Sequence, residues 1–162
     1  MKIFSFPPIF DDNSKILILG TMPSKDSLRL NQYYGNTRNS FWKIMFNLLN
    51  KEFSENYDVR KTLLLNNNIA VWDTLKACIR ESSADADILS PEPNDITGFL
   101  EKYPNIKAVF CNGRDAHAYF EKYFPKLSIE RYYLPSTSAA NAISWDKKLN
   151  EWKRIEEYLN KH

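Results

Sequence analysis

Four short apolar runs limit the fold of this chain more than any other feature of its sequence. They are KILILG (15–20), NIAVW (68–72), IKAVFCNG (106–113) and IERYYLPS (129–136). Runs of this length with little polar alternation are typical of strands that are buried on both faces of a sheet. The chain therefore contains four predicted strands, each of which leads into a loop.

Helix-like segments separate these strands. They cover roughly residues 39–50, 56–66, 93–103, 113–123 and 144–160. In the last segment Trp145, Leu149 and Trp152 recur at three- to four-residue spacing, so this helix is expected to pack one face on the sheet. The alternation of strands and helices predicts an α/β fold, a three-layer α/β/α sandwich with a central, mostly parallel four-stranded sheet.

Length and composition favour one globular domain over residues 1–162. Hydrophobic residues make up 43% of the chain and charged residues 26%, an ordinary balance. No apolar run approaches the ~20 residues of a membrane span, and the N-terminus lacks the layout of a signal peptide. We therefore expect a cytoplasmic monomer with no membrane partner. The net charge of +2 is too mild to indicate nucleic-acid binding by itself.

The cysteines and histidines argue against a metal cofactor. Cys78 and Cys111 are far apart and flanked by apolar residues, so we expect reduced, buried thiols. Two thiols cannot hold a four-cysteine iron–sulfur cluster or a structural zinc site. His117, expected on the outer face of a helix, and the terminal His162 are the only histidines. We expect no metal and no other cofactor.

Ligands of such a sheet bind at the carboxyl ends of its strands. This rule selects four loops, GTMPSKDSLRLNQYYGNTRN, DTLKACIRESSADAD, NGRDAH and PSTSAANAIS, one after each predicted strand. The most unusual residues of the chain therefore converge on one edge of the sheet.

The stretch YYGNTRNSFW (33–42) in the first loop combines aromatic rings, amides and a guanidinium. The Tyr34 ring offers a flat face on which a nucleobase can stack. The amide of Asn39 can accept a hydrogen bond from water while donating another, or it can cap the following helix. Arg38 is either a DNA contact or an ordinary surface cation.

Three of the strand ends also carry residues that are suited to binding a ligand. Gly20 permits a close approach of the backbone after the first strand. Asp73 directly follows the second strand, where a carboxylate can accept from ring N–H groups or cap the next helix. In PSTSAAN (135–141) the three hydroxyls can hold phosphate oxygens, or they can cap the helix that follows.

Together these motifs resemble the uracil-DNA glycosylase superfamily. LILGTMPSKDSL, YYGNTRNSFWKIM, IAVWDTLKACIRESSADADI, VFCNG and LPSTSAAN occur in the family's order, from about residue 8 to about residue 155. The combination is most similar to the hypoxanthine-DNA (deoxyinosine) glycosylase branch. The two cysteines exclude the iron–sulfur branches of the superfamily.

The resemblance implies a role for each matching position. In other branches the residue before the proline of the first turn positions the attacking water, which Met22 cannot do. The deoxyinosine branch uses a downstream asparagine instead, and this residue aligns with Asn39. The implied base-binding residues are Gly20, Thr21, Met22, Tyr34 and Asp73, and the implied DNA-binding residues are Ser24, Arg38, Ser136, Thr137, Ser138 and Asn141.

The implied function is a monofunctional DNA glycosylase of base excision repair. Its partner would be double- or single-stranded DNA containing a deaminated base, first hypoxanthine, then uracil or xanthine. The nucleotide would be flipped out, and water would attack the sugar. A neutral asparagine can only orient water, so the rate must come from stabilising the cationic sugar and the departing base. Two alternatives stay open, a catalytically inactive nucleic-acid-binding module of the same fold and a nucleotide-processing protein that does not bind DNA.

Overall fold

The computed structural model describes residues 1–159, and this part of the chain forms seven strands and seven α-helices. The strands are β1 (Lys2–Phe4), β2 (Ile16–Gly20), β3 (Ile69–Asp73), β4 (Leu75–Ile79), β5 (Leu89–Pro93), β6 (Ala108–Asn112) and β7 (Glu130–Leu134). The helices are α1 (Lys25–Leu30), α2 (Phe41–Leu48), α3 (Tyr57–Asn66), α4 (Ile96–Lys102), α5 (Arg114–Tyr123), α6 (Trp145–Trp152) and α7 (Glu156–Leu159). Short 3₁₀ turns lie at Asp85–Asp87 and Lys153–Ile155.

The central sheet has four parallel strands in the order β3-β2-β6-β7, which confirms the predicted α/β fold. Strand β2 is completely buried. It pairs with a strand on each side, so Ile18 lies opposite Val71 of β3 and Phe110 of β6. Its side chains alternate between the two faces of the sheet, as the period of a strand requires.

Two apolar layers cover the sheet. One face packs on α2, α3 and α6 through Ile16 and Ile18 of β2, while the other packs on α4 and α5 through Leu17 and Leu19. The helices contribute large fully buried side chains, of which Trp42, Trp152 and Phe120 are among the largest. The three layers hold the strand ends rigidly and so fix the positions of the loops at the carboxyl edge.

A second sheet was not predicted. Strands β1, β4 and β5 pair in an antiparallel arrangement, and β4 occupies a segment that sequence reasoning assigned to a loop. Only Thr74 separates β3 from β4, so no turn signal marks the boundary between the two strands. The buried Asn94 amide fixes the junction by donating to the carbonyls of Asp73 and Leu75. The helix-cap alternative for Asp73 was wrong, because a strand follows it.

The structure also corrects two helix assignments. Helix α1 was not predicted; Ser24 caps its N-terminus and Asn31 ends it in the left-handed conformation. The predicted helix over 144–160 is two helices, α6 and α7, joined by a 3₁₀ turn, and its residue 160 lies outside the described residues.

Both cysteines are free and buried, as predicted. None of the helices in residues 1–159 is long and apolar enough to cross a membrane.

Candidate active site

The four parallel strands end at Gly20, Asp73, Asn112 and Leu134, and their loops meet at one edge of the sheet. Gly20 forms the floor of this region. A Cβ at this position would lie 2.6 Å from Oδ1 of Asp73 and 2.9 Å from the hydroxyl of Tyr34. The absence of a side chain therefore lets a carboxyl group and a phenol meet directly above the backbone of β2.

Tyr34 adopts an unusual conformation at this position. Its φ of 53° lies in the left-handed region, which costs free energy for a residue with a side chain. The ring stacks on Phe41 of α2 with 4.1 Å between centroids. Its hydroxyl is buried without a hydrogen-bond partner among the described residues. Burial raises the pKa of this phenol, and the neighbouring Asp73 raises it further, so the group is neutral.

Asp73 is a buried carboxyl group, only 4% exposed, that forms no ion pair with a described residue. Its Oδ2 atom has no hydrogen-bond partner in the same part of the chain. Desolvation, followed by the charge of Asp85, raises the pKa of Asp73 to about 7, although Arg80 acts in the opposite direction. A group of this kind can exist as a carboxylic acid at neutral pH.

Arg80 and Asp85 surround Asp73 but were not among the predicted site residues. Arg80 is 4% exposed, and its guanidinium donates to the carbonyl of Pro23, which holds the first loop in place. Asp85 accepts a hydrogen bond from Thr21. Desolvation and then the charge of Asp115 raise the pKa of Asp85 to about 6. Both residues lie in IAVWDTLKACIRESSADADI, a stretch that contributes to the family resemblance, but the resemblance implied a role only for Asp73 within it, so neither residue was predicted.

Met22 packs into the small apolar cluster beneath the second sheet. Its neighbours there are Leu75, Cys78 and Ile88, and the residue is only 9% exposed. The side chain is therefore part of the core and offers no hydrogen bond to a water molecule.

Asn39 lies just before α2. Its contacts are compatible with both roles that the sequence allowed, a helix cap and a ligand of water. Its Oδ1 accepts from the backbone N–H of Phe41 at 2.9 Å, so the residue satisfies one free donor at the helix start. Ser40, the residue at the cap position, makes no side-chain cap bond. The Nδ2 group of Asn39 makes no hydrogen bond to another described residue, and Oδ1 keeps a second lone pair. One amide thus both caps the helix and presents free polar atoms.

Thr137 joins two loops of the site. Its side chain and backbone form a pair of 3.0 Å hydrogen bonds with the Asn112 amide at the end of β6. Its carbonyl accepts from the N–H and the hydroxyl of Ser40 at 2.9 and 3.2 Å. Thr137 is only 1% exposed. The threonine therefore fixes the Asn39 segment against the last loop.

Asn112, in the VFCNG motif at a strand end, is a site residue that the carboxyl-edge rule selects but sequence reasoning missed.

The rest of the last loop is stabilised by its own polar groups. Ser136 Oγ accepts from the N–H of Ser138, whose Oγ accepts from the N–H of Ala140. Asn141 donates its amide to the carbonyl of Ser136. Helix α6 is capped by Ser144 instead, so the helix-cap alternative for the three hydroxyl residues was wrong.

Cationic groups border this edge. Arg38 is exposed; its backbone N–H donates to Oδ1 of Asn36, and its guanidinium makes no hydrogen bond to a residue that the structure describes. Lys148 of α6 donates to the carbonyl of Ser138, and burial lowers its pKa. Ser24, which was predicted to contact DNA, bonds to Ser27 as the cap of α1. The edge thus has cations close to the loop backbone.

No group of three His, Cys, Asp or Glu residues within 1–159 could hold a metal ion. His117 lies on α5, partly exposed, facing Glu121 and the ring of Tyr133. His162 lies outside the described residues. The absence of a metal requirement stays a prediction.

Comparison with known proteins identifies one family. The model of the uracil DNA glycosylase superfamily matches residues 7–160. A hypoxanthine DNA glycosylase of Methanosarcina acetivorans is 36% identical over 151 residues, which are 93% of this chain and 95% of that protein. The enzyme of the same name from Methanosarcina barkeri is 36% identical over 94% of this chain and 96% of its own. The solution NMR structure of a candidate uracil DNA glycosylase from M. acetivorans superposes with a TM-score of 0.87 at 34% identity, covering 99% of this chain and all of the other.

Proposed function

Because the chain belongs to the uracil DNA glycosylase superfamily and is a DNA N-glycosylase, we propose that it removes hypoxanthine from DNA without cutting the strand. The observation that carries the proposal is the cluster above Gly20, where the Tyr34 hydroxyl and Oδ2 of Asp73 are buried without a hydrogen-bond partner among residues 1–159. Buried polar groups are normally hydrogen-bonded, so such a cluster is expected at a site that a polar ligand completes. Two relatives named hypoxanthine DNA glycosylase, each covered almost completely, support this choice of base.

The flipped base is placed over the floor formed by Gly20, Thr21 and Met22. Phe41 covers one face of the Tyr34 ring, and the ring contributes stacking with the base, an interaction worth ~1–3 kcal/mol. Asp73 contacts the polar edge of the base. Uracil and xanthine also present N–H and carbonyl groups along one edge, so they are candidate secondary substrates.

Asn39 holds the attacking water. Its Oδ1 is fixed by the Phe41 N–H, so the amide has a defined orientation before the substrate arrives. The remaining lone pair accepts from the water, and the free Nδ2 group donates to the nucleotide. The water adds to C1′ as the bond to the base breaks; the electron pair leaves with the base, and the proton of the water passes to solvent. A preorganised dipole of this kind acts mainly in the transition state.

The last loop and its neighbours hold the DNA backbone. Ser136, Ser138 and Asn141 lie on a compact loop that small residues allow to approach DNA closely, and Arg38 supplies a positive charge. Ser24 contributes from the first loop through the start of α1. Thr137 acts by fixing the loop, since its hydroxyl is buried against Asn112.

A substitution pair separates loop positioning from direct DNA contact. Thr137→Val leaves the buried Asn112 amide without an acceptor and should lower the free energy of unfolding by about 1–3 kcal/mol. Ser138→Ala loses only an exposed hydrogen bond from the Ala140 N–H, so it should melt near the wild-type temperature but bind an abasic duplex more weakly. Thermal unfolding and fluorescence anisotropy measure the two effects. An unchanged melting temperature with weak binding in Thr137→Val would show that its hydroxyl reaches the DNA.

Salt dependence tests the number of phosphate contacts. The net charge of +2 indicates that only a few phosphates are neutralised. The slope of log K against log salt concentration is therefore expected to be shallow, on the order of −2 to −4. A slope near zero would argue for a substrate without a nucleic-acid backbone.

The decisive assay is a gel of an inosine-containing duplex, incubated with the protein and then treated with alkali. We expect a strand break only after alkali, because removal of the base leaves an intact abasic strand. Duplexes with uracil or xanthine give the lesion range, and an unmodified duplex is the control. Binding without any alkali-sensitive site would favour the inactive module.

Three further predictions concern the protein as a whole. We propose that residues 1–162 act as a single glycosylase domain, that the protein is monomeric and that it works in the cytoplasm. Light scattering coupled to size-exclusion chromatography, with and without duplex, measures the oligomeric state. Cell fractionation measures the location.

A further inference from the structure

The environment of Asp73 is poorly suited to a negative charge. The carboxyl group lies over Gly20 in a position that water barely reaches, and its Oδ2 atom makes no hydrogen bond with a described residue. Its neighbours are the neutral phenols of Tyr33 and Tyr34, the carboxyl group of Asp85 and the guanidinium of Arg80. Arg80 lowers the pKa of Asp73 but forms no ion pair with it within residues 1–159. Its Nη2 donates to the Pro23 carbonyl, and its Nε and Nη1 make no hydrogen bond with a described residue.

Asp85 adds a second carboxyl group to the same region. It is held on the first loop by Thr21, the residue next to Gly20. The charge of Asp115 on α5 raises the pKa of Asp85, and the cation Arg80 lowers it. Tyr119 and Cys78 also lie within its electrostatic influence. Since the charge of Asp85 raises the pKa of Asp73, ionisation of Asp85 favours the protonated form of Asp73.

The polar edge of hypoxanthine distinguishes the two states of a carboxyl group. This edge carries a donor, N1–H, beside an acceptor, O6. A carboxylate has only acceptors and would repel O6, whereas a carboxylic acid presents one donor and one acceptor, as an amide does. The departing base also gains electron density, which an O–H directed at O6 stabilises and a carboxylate opposes.

We propose that Asp73 recognises hypoxanthine as a neutral carboxylic acid, donating to O6 and accepting from N1–H, and that Asp85 maintains this state by its negative charge. The inference rests on the proposed function and specifies how the site reads the base. Asp73 contacts the substrate; Asp85 is a positioning residue that acts through Asp73. No proton is transferred in this contact, so the hydrolysis is otherwise unchanged.

A neutral Asp73 fixes the direction in which the excision rate changes with pH. Excision requires the protonated form, so the rate is constant below the pKa of Asp73, about 7, and falls above it. The fall approaches about tenfold per pH unit once the group is mostly ionised. The free energy of unfolding should also decrease as pH rises. The pKa of Asp73 is higher in the folded than in the unfolded state, so stability is lost between these two pKa values.

The test is the single-turnover rate of hypoxanthine release from an inosine duplex at saturating enzyme, from pH 5 to pH 9. Asp73→Asn is the informative variant, since an amide is a permanent equivalent of the neutral acid. We expect its rate to be the same at pH 8 as at pH 6 and to exceed that of Asp73→Ala at both. Asp73→Ala is expected to be at least about tenfold slower than the wild type at pH 6.

Asp85→Asn tests the positioning role. Removal of its charge lowers the pKa of Asp73, so the decline should begin at a lower pH than in the wild type. Asp87→Asn is the matched control, because it removes the same charge from an exposed position of the same turn, where Asp87 bonds to Ser82. We expect this control to keep the wild-type midpoint.

Three results would overturn the inference. The first is an Asp73→Asn variant whose rate falls with rising pH as much as the wild-type rate does. The second is an Asp73→Asn variant that folds but is as slow as Asp73→Ala at pH 6. The third is a wild-type rate that does not vary between pH 6 and pH 8 although the melting temperature does, which would make Asp73 a buried acid without a role in recognition. Each of these leaves the proposed function standing, which fails only if the wild type releases no hypoxanthine at any pH.

Discussion

Replacement of Asn39 by alanine is expected to cut single-turnover excision by about 10²–10³, the usual loss for one preorganised transition-state contact. Affinity for DNA should barely change, because in its proposed role the amide contacts water and sugar and not phosphate. The substitution also removes the hydrogen bond to the Phe41 N–H, so the protein should lose about 0.5–2 kcal/mol of stability. Rapid-quench kinetics and thermal unfolding measure the two effects separately.

Asn39→Asp separates the chemistry from the cap. A carboxylate accepts the Phe41 N–H at least as well, and its charge is favourable at a helix N-terminus, so stability should be retained. It can also act on water and stabilise a cationic sugar, but it lacks the Nδ2 donor and repels the departing base. We therefore expect activity between those of the wild type and Asn39→Ala, unevenly across lesions. Wild-type rates in Asn39→Ala, together with slow excision in Met22→Ala, would show that the water is held elsewhere.

Gly20→Ala should cause a loss of similar size without removing any functional group. Its Cβ would lie 2.6 Å from Oδ1 of Asp73 and 2.9 Å from the hydroxyl of Tyr34, which is closer than real contacts allow. Both groups must therefore move by several tenths of an ångström. Misplacement of reacting groups by 1 Å can cost about 10² in rate, and we expect a loss of this order.

Gly35→Ala is the matched control for this experiment. A Cβ there would meet Leu30, Ser27 and Gln32 at 3.3 to 3.4 Å, in the same loop but away from Asp73. We expect less than about threefold loss of excision in this variant. Equal losses in the two variants would mean that the loop as a whole is sensitive to added volume, and wild-type activity in Gly20→Ala would show that Asp73 and Tyr34 need not meet over the strand.

The sequence was least informative about segments that lack periodicity. Strand β4 follows β3 after a single residue, so pattern reasoning placed it in a loop and left the second sheet undetected. Helix α1 has six residues, too few to show a helical period clearly. Arg80 and Asp85 lie in or beside these segments, and neither was recognised as part of the site.

For particular residues the sequence left choices that only contacts could decide. The cap interpretation was wrong for Asp73, because a strand follows it, and wrong for the PSTSAAN hydroxyls, because Ser144 caps α6. For Asn39 the cap bond exists, yet the amide keeps free polar atoms, so the two interpretations are compatible. Thr137 is a link between loops, held by Asn112 across 25 positions of sequence.

By itself the sequence determined the four-stranded parallel sheet, the faces of its covering helices and the edge where the four loops meet. These features follow from periodicity, burial and strand direction, which are properties of neighbouring residues. Only the tertiary structure decided the environment of Asp73, its pKa and its position above Gly20 beside Tyr34. A pKa depends on desolvation and on charges that the fold brings together from distant segments, and no local pattern in the sequence records those distances.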